Sequence, residues 1–296
     1  MKSINIALVQ TKVSENIEEN VKKTAKLIEQ AAKAGAKIVA LQELFQTPYF
    51  PQWKNKNKDD YAEKVTGPTV TAMKKIARKL KITLIVPFYE KISAQGGPAS
   101  GWKDKYFNTA VVIDKNGKLL GRYHKIHIPQ DPSFYEKEYF REGELGYKIF
   151  SVDGIKFAVL ICYDQWFPEA ARLAKLSGAE IIFYPTAIGN IIGDDAPEGD
   201  WHDAWETVQR GHAIANSVYV AAINRVGREG QTRFFGQSFI SDPFGKIIKR
   251  ASPSKEAVLV AKLDLGKNKF IEKGWGFMRN RRPDTYKPLA IKTLKK

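Results

Sequence analysis

Cysteine is almost absent from this chain of 296 residues, which contains only one, Cys162. A single cysteine cannot form an intramolecular disulfide, and such a composition suits a reducing compartment. Long apolar runs are also missing, since none approaches the roughly 20 residues that a helix needs to cross a bilayer. The amino terminus predicts a strand from its start, not the apolar segment of a signal peptide. We therefore expect a cytoplasmic protein that makes no contact with a membrane.

Internal repeats, low-complexity stretches and Pro-, Gly- or Ser-rich linkers are missing from the sequence as well. Apolar residues make up 43% of the chain and charged residues 27%, which is ordinary for a globular protein. Because no linker divides the chain, residues 1–296 are predicted to form one domain, with a basic tail from about residue 288.

Charge of one sign is in excess, because 48 Lys and Arg residues against 32 Asp and Glu residues give a net charge of +16. Such an excess can indicate a nucleic-acid partner. Here the lysines are spread over predicted helices and the tail, which is typical of solvated helix faces. The sequence has no Gly-rich phosphate loop, zinc finger or recognition helix. We therefore expect no nucleic-acid partner.

Strand and helix patterns alternate along the chain and enclose hairpins. Asn16 and Glu19 form a capping pair for a first helix, and Pro68 begins a second. Later helices are predicted from Pro168 and over residues 201–216. Hairpins are predicted at three turns, at residues 115–117, 153–154 and 242–245. This mixture predicts an α/β fold in which helices cover mixed sheets.

Three reactive side chains stand where predicted strands end: Glu43, Lys125 and Cys162. Sheets of α/β proteins tend to carry their chemistry at this edge. A lone cysteine is most often a small buried hydrophobe, but the matching positions of Glu43 and Lys125 favour a nucleophile. Lys125 or the helix beginning at Pro168 would stabilise its thiolate, and Glu43 is the candidate base. Lys125 and the backbone N–H of Tyr163 are candidate donors to the oxyanion that forms when a thiolate attacks an amide-like carbonyl.

The four histidines do not form a metal-binding motif. His124 and His127 lie on or just after a predicted strand, where we expect them to have structural or substrate-shaping roles. His202 and His212 lie on a predicted helix and are expected to pack or cap. We therefore expect no metal and no cofactor.

Three blocks of sequence resemble, in order, the nitrilase superfamily of carbon–nitrogen hydrolases. The blocks are residues 41–45, 123–129 and 161–169. They contain Glu43, Lys125 and Cys162, which match the superfamily's catalytic Glu–Lys–Cys triad. Glu136 matches its second active-site glutamate. The resemblance implies a four-layer α-β-β-α sandwich with mixed sheets.

Within the superfamily, residues 162–172 are most similar to the nucleophile segment of the N-carbamoylputrescine amidohydrolases, although most of these have Trp where this chain has Tyr163. Hydrolases of carbamoyl amino acids place arginine shortly after the cysteine, and a bidentate clamp on a carboxylate needs that residue. This chain has Asp164, Gln165 and Trp166 there. We therefore expect a small ureido substrate with a cationic tail.

The resemblance implies hydrolysis of N-carbamoylputrescine to putrescine, ammonia and carbon dioxide, a step of polyamine biosynthesis, through a thioester on the cysteine. The expected substrate contacts are Asp164, Gln165, Trp166 and Thr186. The residue that holds the distal amine stays open among Asp164, Asp194, Asp195 and Glu206. Superfamily members commonly pair through the helices on the nucleophile side, which implies a homo-oligomer. Two alternatives remain: a related amidase, ureidase or nitrilase with another small substrate, and a basic binding protein with an inert cysteine.

Overall fold

Two six-stranded mixed sheets form the centre of the computed structural model, which describes residues 2–94 and 103–291. The strands of the first sheet are β1 (Ser3–Gln10), β2 (Ile38–Leu41), β3 (Thr83–Ile92), β4 (Lys105–Ile113), β5 (Leu119–His124) and β15 (Ala257–Asp264). They lie in the order β15-β1-β2-β3-β4-β5. Strands β1, β2 and β3 are parallel, and the outer pairs are antiparallel.

The second sheet repeats this arrangement with other strands. They are β6 (Ile149–Val152), β7 (Ile155–Val159), β8 (Ile181–Pro185), β10 (Tyr219–Ile223), β13 (Phe239–Ser241) and β14 (Ile247–Arg250). They lie in the order β6-β7-β8-β10-β13-β14, with β7, β8 and β10 parallel and the outer pairs antiparallel. The two sheets therefore share one strand pattern, although the sequence shows no internal repeat.

Five α-helices occur among the described residues. They are α1 (Ile17–Lys33), α2 (Pro68–Leu80), α3 (Pro168–Leu176), α4 (Trp201–Asn216) and α5 (Gly266–Trp275). Helices α1 and α2 share a core with the outer face of the first sheet, while α3 and α4 pack on the second. The inner face of the first sheet packs against the second sheet in the same apolar core as α3 and α4. This confirms the predicted four-layer α-β-β-α sandwich. None of these helices has the length and apolar character needed to span a bilayer.

Local signals account for much of this agreement. The Asn16 side chain accepts a hydrogen bond from the backbone N–H of Glu19 at 3.1 Å, as the capping pair predicts. Proline stands at the start of α2 and α3, where its missing N–H leaves no helical bond unmade. The three predicted hairpins are the antiparallel pairs β4–β5, β6–β7 and β13–β14.

Other elements were not predicted from the sequence. A small third sheet consists of β9 (Gly189–Ile191), β11 (Val226–Glu229) and β12 (Thr232–Phe235). Strand β15 and helix α5 were also missed. The predicted basic tail begins within a 3-10 turn at Lys287–Ala290, and residues 292–296 lie outside the described part.

Strand directions bring two of the three reactive residues to one edge. Because β4 runs antiparallel to both β3 and β5, strand β5 points the same way as β2 and β3. Glu43 and Lys125, which follow β2 and β5, therefore emerge at the same edge of the first sheet. Cys162 follows β7 of the second sheet.

The loop that carries Glu43 is held by a fully buried arginine, Arg225, which follows β10. Its Nη2 donates to the backbone carbonyls of Glu43 at 2.7 Å and Leu44 at 3.0 Å. Its Nη1 donates to both carboxylate oxygens of Glu229 at 2.8 Å. Leu44 has a φ of 47°, a left-handed conformation that is strained for a residue with a side chain. Arg225 thus ties the end of the second sheet to a strained loop of the first.

Replacing Arg225 by Met should destabilise the protein strongly, because the Glu229 carboxylate would stay buried without its counter-charge. We expect the free energy of unfolding to fall by about 3–5 kcal/mol. Urea unfolding measures this loss. Arg228→Met, at an exposed position in the same segment, is the matched control and should change stability by less than about 0.5 kcal/mol. Equal stability of the two variants would contradict a structural role for Arg225.

Candidate active site

Lys125 bridges two carboxylates in the interior of the protein. Its Nζ donates to Glu43 Oε1 at 2.9 Å and to Glu136 Oε2 at 2.6 Å, and none of the three residues is exposed. Burial by itself would lower the pKa of Lys125, but the two carboxylates outweigh it and raise that pKa. The ammonium therefore stays charged. An ammonium has three N–H donors, so one remains after these two bonds.

The two carboxylate oxygens of Glu43 have different surroundings. Oε1 accepts hydrogen bonds from Lys125 and from the Asn108 side chain, the latter at 2.7 Å. Oε2 is buried and has no hydrogen-bond partner among the described residues. A buried acceptor without a partner is costly and rare in folded proteins. Glu43 Oε2 is thus an oxygen that can take up a proton from a neighbouring group.

Glu136 lies on a short 3-10 turn and accepts a hydrogen bond from the Tyr49 hydroxyl at 2.7 Å. Burial raises the pKa of Glu136 to about 7, and the charge of Glu43 adds to this effect. Lys125 and the Tyr49 hydroxyl oppose it. Lys125 therefore favours the charged form of Glu136 against the effect of burial.

Cys162 stands at a sharp junction between β7 and a 3-10 turn (Cys162–Trp166). Its φ of 43° is left-handed, which is strained for any residue except glycine. Burial raises the pKa of its thiol, Glu43 raises it further, and Lys125 only partly opposes them. The raised pKa favours a neutral thiol at rest, so the nucleophile needs a base as well as the cation Lys125.

A cavity of about 380 Å³ opens onto Cys162. Its other lining residues are Pro129, Asp131, Phe134, Glu136, Tyr163, Gln165, Trp166, Ala187, Ile188, Glu198, Trp201 and Ala204. Most of these are apolar or aromatic. The charged residues that line it are the acidic Asp131, Glu136 and Glu198, and no Lys or Arg belongs to the lining that the structure describes. The cavity therefore suits a small molecule with an apolar body and a positive charge.

Two of the four expected substrate contacts line this cavity, namely Gln165 and Trp166. Asp164 does not. Its carboxylate is fully buried and accepts hydrogen bonds from the Tyr123 hydroxyl at 2.7 Å and the backbone N–H of Ile161 at 2.9 Å. It also bonds to the backbone N–H and the ring of His127. Asp164 thus holds the nucleophile turn in place, and no part of its carboxylate is left for a ligand.

Thr186 is also turned away from the cavity. Its hydroxyl lies 3.0 Å from the Tyr184 carbonyl and 3.3 Å from Gln165 Oε1, and the residue is fully buried. It therefore supports Gln165 from behind.

The residues proposed for the distal amine lie elsewhere. Glu206 pairs with Arg250 at 2.5 Å and Arg210 at 3.3 Å. Asp194 and Asp195 are exposed and do not line the cavity. The acidic residues at the cavity, Asp131 and Glu198, were missed because both lie in irregular loops that carry no periodic signal.

The histidines beside the lysine make structural contacts. His124 Nε2 lies 3.1 Å from Glu90 Oε2, and its ring stacks on Phe107 with centroids 4.1 Å apart. His127 stacks on Phe167 at 3.6 Å. Within residues 2–94 and 103–291, no group of three or more His, Cys, Asp or Glu side chains is arranged to hold a metal ion.

Comparison with known proteins agrees with this fold. The family model of the carbon-nitrogen hydrolases matches residues 5–271. A carbon-nitrogen hydrolase from Helicobacter pylori G27 has a crystal structure that superposes with a TM-score of 0.91. It is 37% identical in sequence, and the match covers 99% of this chain and 100% of that one. The chain belongs to the carbon-nitrogen hydrolase family.

Relatives within the family carry more specific names. An N-carbamoylputrescine amidase from Solanum lycopersicum is 39% identical over 97% of this chain and 94% of its own length. A citrullinase from Francisella tularensis is 38% identical over 99% of this chain and 100% of its own length. Both names denote enzymes, so the chain is similar to hydrolases over nearly its whole length.

The raised pKa of Cys162 can be tested by alkylation, because the chain has no other cysteine. We expect the rate of modification by chloroacetamide, followed by mass spectrometry, to rise with pH to a midpoint above that of free cysteine. In Glu43→Gln the midpoint should fall, since a carboxylate that disfavours the thiolate is gone. Cys162→Ala should take up no label. A wild-type midpoint near neutral pH would show instead that Lys125 dominates.

Proposed function

We propose that this protein hydrolyses N-carbamoylputrescine to putrescine, ammonia and carbon dioxide, with Glu43, Lys125 and Cys162 as its catalytic residues. Three independent features support this function. The first is the full-length similarity to N-carbamoylputrescine amidases. The second is the cluster of Cys162 with an unpartnered carboxylate oxygen and a buried ammonium. The third is the acidic and mostly apolar or aromatic cavity that leads to the thiol.

The observation that carries the mechanism is the free Oε2 of Glu43. Because Oε1 is already bonded to Lys125 and Asn108, Oε2 takes the thiol proton as the sulfur of Cys162 attacks the ureido carbon. A new S–C bond forms and the carbonyl oxygen becomes an oxyanion. The remaining N–H of Lys125 and the backbone N–H of Tyr163 are the donors that stabilise it.

The tetrahedral intermediate then collapses. Glu43 returns the proton to the departing nitrogen, the C–N bond breaks, and ammonia leaves a thioester on Cys162. Glu43, ionised again, takes a proton from water as that water attacks the thioester. The thiol is restored and a carbamic acid is released, which loses carbon dioxide to give putrescine. The complete reaction consumes one molecule of water and requires no oxidant or reductant.

Glu136 and Tyr49 keep the lysine in place during this cycle. Glu136 Oε2 accepts a hydrogen bond from Lys125 Nζ at 2.6 Å, and the Tyr49 hydroxyl donates to the other oxygen of Glu136. When Glu43 is protonated, Lys125 therefore stays in place and keeps its remaining N–H available to the oxyanion.

The cavity favours a cationic substrate over one with a carboxylate. Citrulline, which the citrullinase relative is named for, carries an α-carboxylate beside its ammonium. A buried carboxylate needs a paired donor, and Arg or Lys usually supplies it. Asp131, Glu136 and Glu198 supply negative charge instead. This favours N-carbamoylputrescine over citrulline among the substrates that the relatives' names suggest.

We also propose that the protein acts as a cytoplasmic homo-oligomer. Leu173 and Leu176 on α3 are 43% and 48% exposed, and Leu289 beside them is 69% exposed. Contiguous exposed apolar side chains are typical of association surfaces. The lone free thiol at the nucleophile position suits a reducing compartment.

Replacing the nucleophile tests the covalent route. Cys162→Ala should abolish ammonia release from N-carbamoylputrescine while urea unfolding shows an intact fold, because the side chain is small and leaves little void. In wild type, rapid quenching followed by mass spectrometry should detect an adduct on Cys162 with the mass of the substrate less ammonia. Substantial activity in Cys162→Ala would exclude the thioester mechanism.

Substrate charge tests the specificity. We expect kcat/KM for N-carbamoylputrescine to exceed that for N-carbamoyl-β-alanine by about a thousandfold or more, roughly 4 kcal/mol, because an ammonium gains charge-assisted bonds while a carboxylate meets like charge. The net charge of +16 would steer anions to the protein, but exposed charges are screened beyond about 8–10 Å at physiological salt. Comparable rates would overturn the substrate assignment and leave the hydrolase class intact.

A further inference from the structure

The cavity at Cys162 has two chemically different ends. At its inner end lie Cys162, Glu136 and Gln165, which are buried. At its outer end lie Asp131 and Glu198, which are exposed to solvent. A ligand that fills the cavity therefore meets a buried polar group at one end and two solvated carboxylates at the other.

The inner end presents an unused hydrogen-bond donor. Gln165 is fully buried, and its Nε2 has no partner among the described residues. Its amide orientation is fixed, because Trp205 Nε1 is only a donor and lies 2.9 Å from Gln165 Oε1. Residues three apart lie on the same face of a 3-10 turn, so Gln165 shares a face with Cys162. A neutral acceptor such as a ureido oxygen satisfies this donor, whereas an ammonium does not.

The outer end carries the negative charge on two separate loops. Asp131 begins a turn in which the backbone N–H of Phe134 donates a hydrogen bond to the carbonyl of Asp131 at 2.8 Å. Its charge contributes to the raised pKa of Tyr163, the residue next to the nucleophile, although burial of that tyrosine contributes more. The carboxylate of Glu198 accepts a hydrogen bond from Trp201 Nε1, which holds it beside the cavity.

Aromatic side chains form the walls between the two ends. Phe134, the last residue of the Asp131 turn, lies 6.3 Å from Trp201 between ring centroids, and Trp166 adds a further ring to the lining. Such walls bury methylene groups favourably and tolerate a cation near their faces.

From this polarity we infer that Asp131 and Glu198 together bind the distal ammonium of the substrate, while Gln165 donates to its ureido end. The inference rests on the proposed function and extends it by naming the groups that select for a positive charge. The two carboxylates lie on different loops, so each contributes to binding separately and both are needed for full discrimination.

The test compares N-carbamoylputrescine with N-pentylurea, which has the same chain length but ends in a methyl group. Asp131→Asn and Glu198→Gln should each lower kcat/KM for N-carbamoylputrescine about tenfold, and the double variant about a hundredfold, a loss reduced by solvent exposure. Activity on N-pentylurea should change less than threefold. Asp195→Asn, an exposed carboxylate of the same segment outside the cavity lining, is the control and should change neither rate.

A further variant, Gln165→Met, tests the inner end of the cavity. It removes the inner donor and should lower kcat/KM for both compounds by a similar factor, since both share the ureido group. Equal losses on the two compounds in Asp131→Asn and Glu198→Gln, or no loss, would overturn the assignment of the ammonium site. If the wild-type enzyme released ammonia from both compounds no faster than Cys162→Ala, the proposed function itself would be overturned, and this inference with it.

Discussion

The contact on which the site depends is the bridge from Lys125 to Glu43 and Glu136. It places one positive and two negative groups where none has any solvent exposure. Unpaired, any of these charges would be strongly destabilising, so each requires the other two in position. Because Glu43 follows β2, Lys125 follows β5 and Glu136 lies on a later 3-10 turn, the bridge also fixes the relative positions of three loops. The same contact is therefore required both for the chemistry of the site and for the arrangement of the loops around it.

Strain and support are concentrated around that bridge. The nucleophile Cys162 and Leu44, the neighbour of Glu43 in the chain, are both held in left-handed conformations. Such conformations persist only where the surroundings determine them fully. Asp164 supplies this support for the nucleophile turn, and Arg225 supplies it for the Glu43 loop. These buried polar residues form the frame of the site, and their carboxylates and guanidinium are not available to a ligand.

The sequence predicted the features that local chemistry determines. Caps, prolines and turn residues located α1, α2, α3 and three hairpins, and α4 was predicted with its observed bounds. Strand ends located Glu43, Lys125 and Cys162. What failed depends on long-range packing: the short strands of the third sheet, the shared strand pattern of the two large sheets, and the direction of the Asp164 and Thr186 side chains. Spacing alone does not show that Asp164 turns toward Tyr123 rather than the cavity.

The distribution of charge in the molecule shows why composition was a poor guide to the ligand. The chain as a whole carries a net charge of +16, yet the charged residues lining its cavity are acidic. The lysines are spread over solvated surfaces, and salt screens their effect on a ligand in the cavity. Asp131 and Glu198 line the cavity and can contact the ligand directly. Binding selectivity is a difference between contacts made and contacts left unpaired, so a few local carboxylates outweigh many remote cations. The sign of the ligand therefore follows from the cavity and not from the net charge.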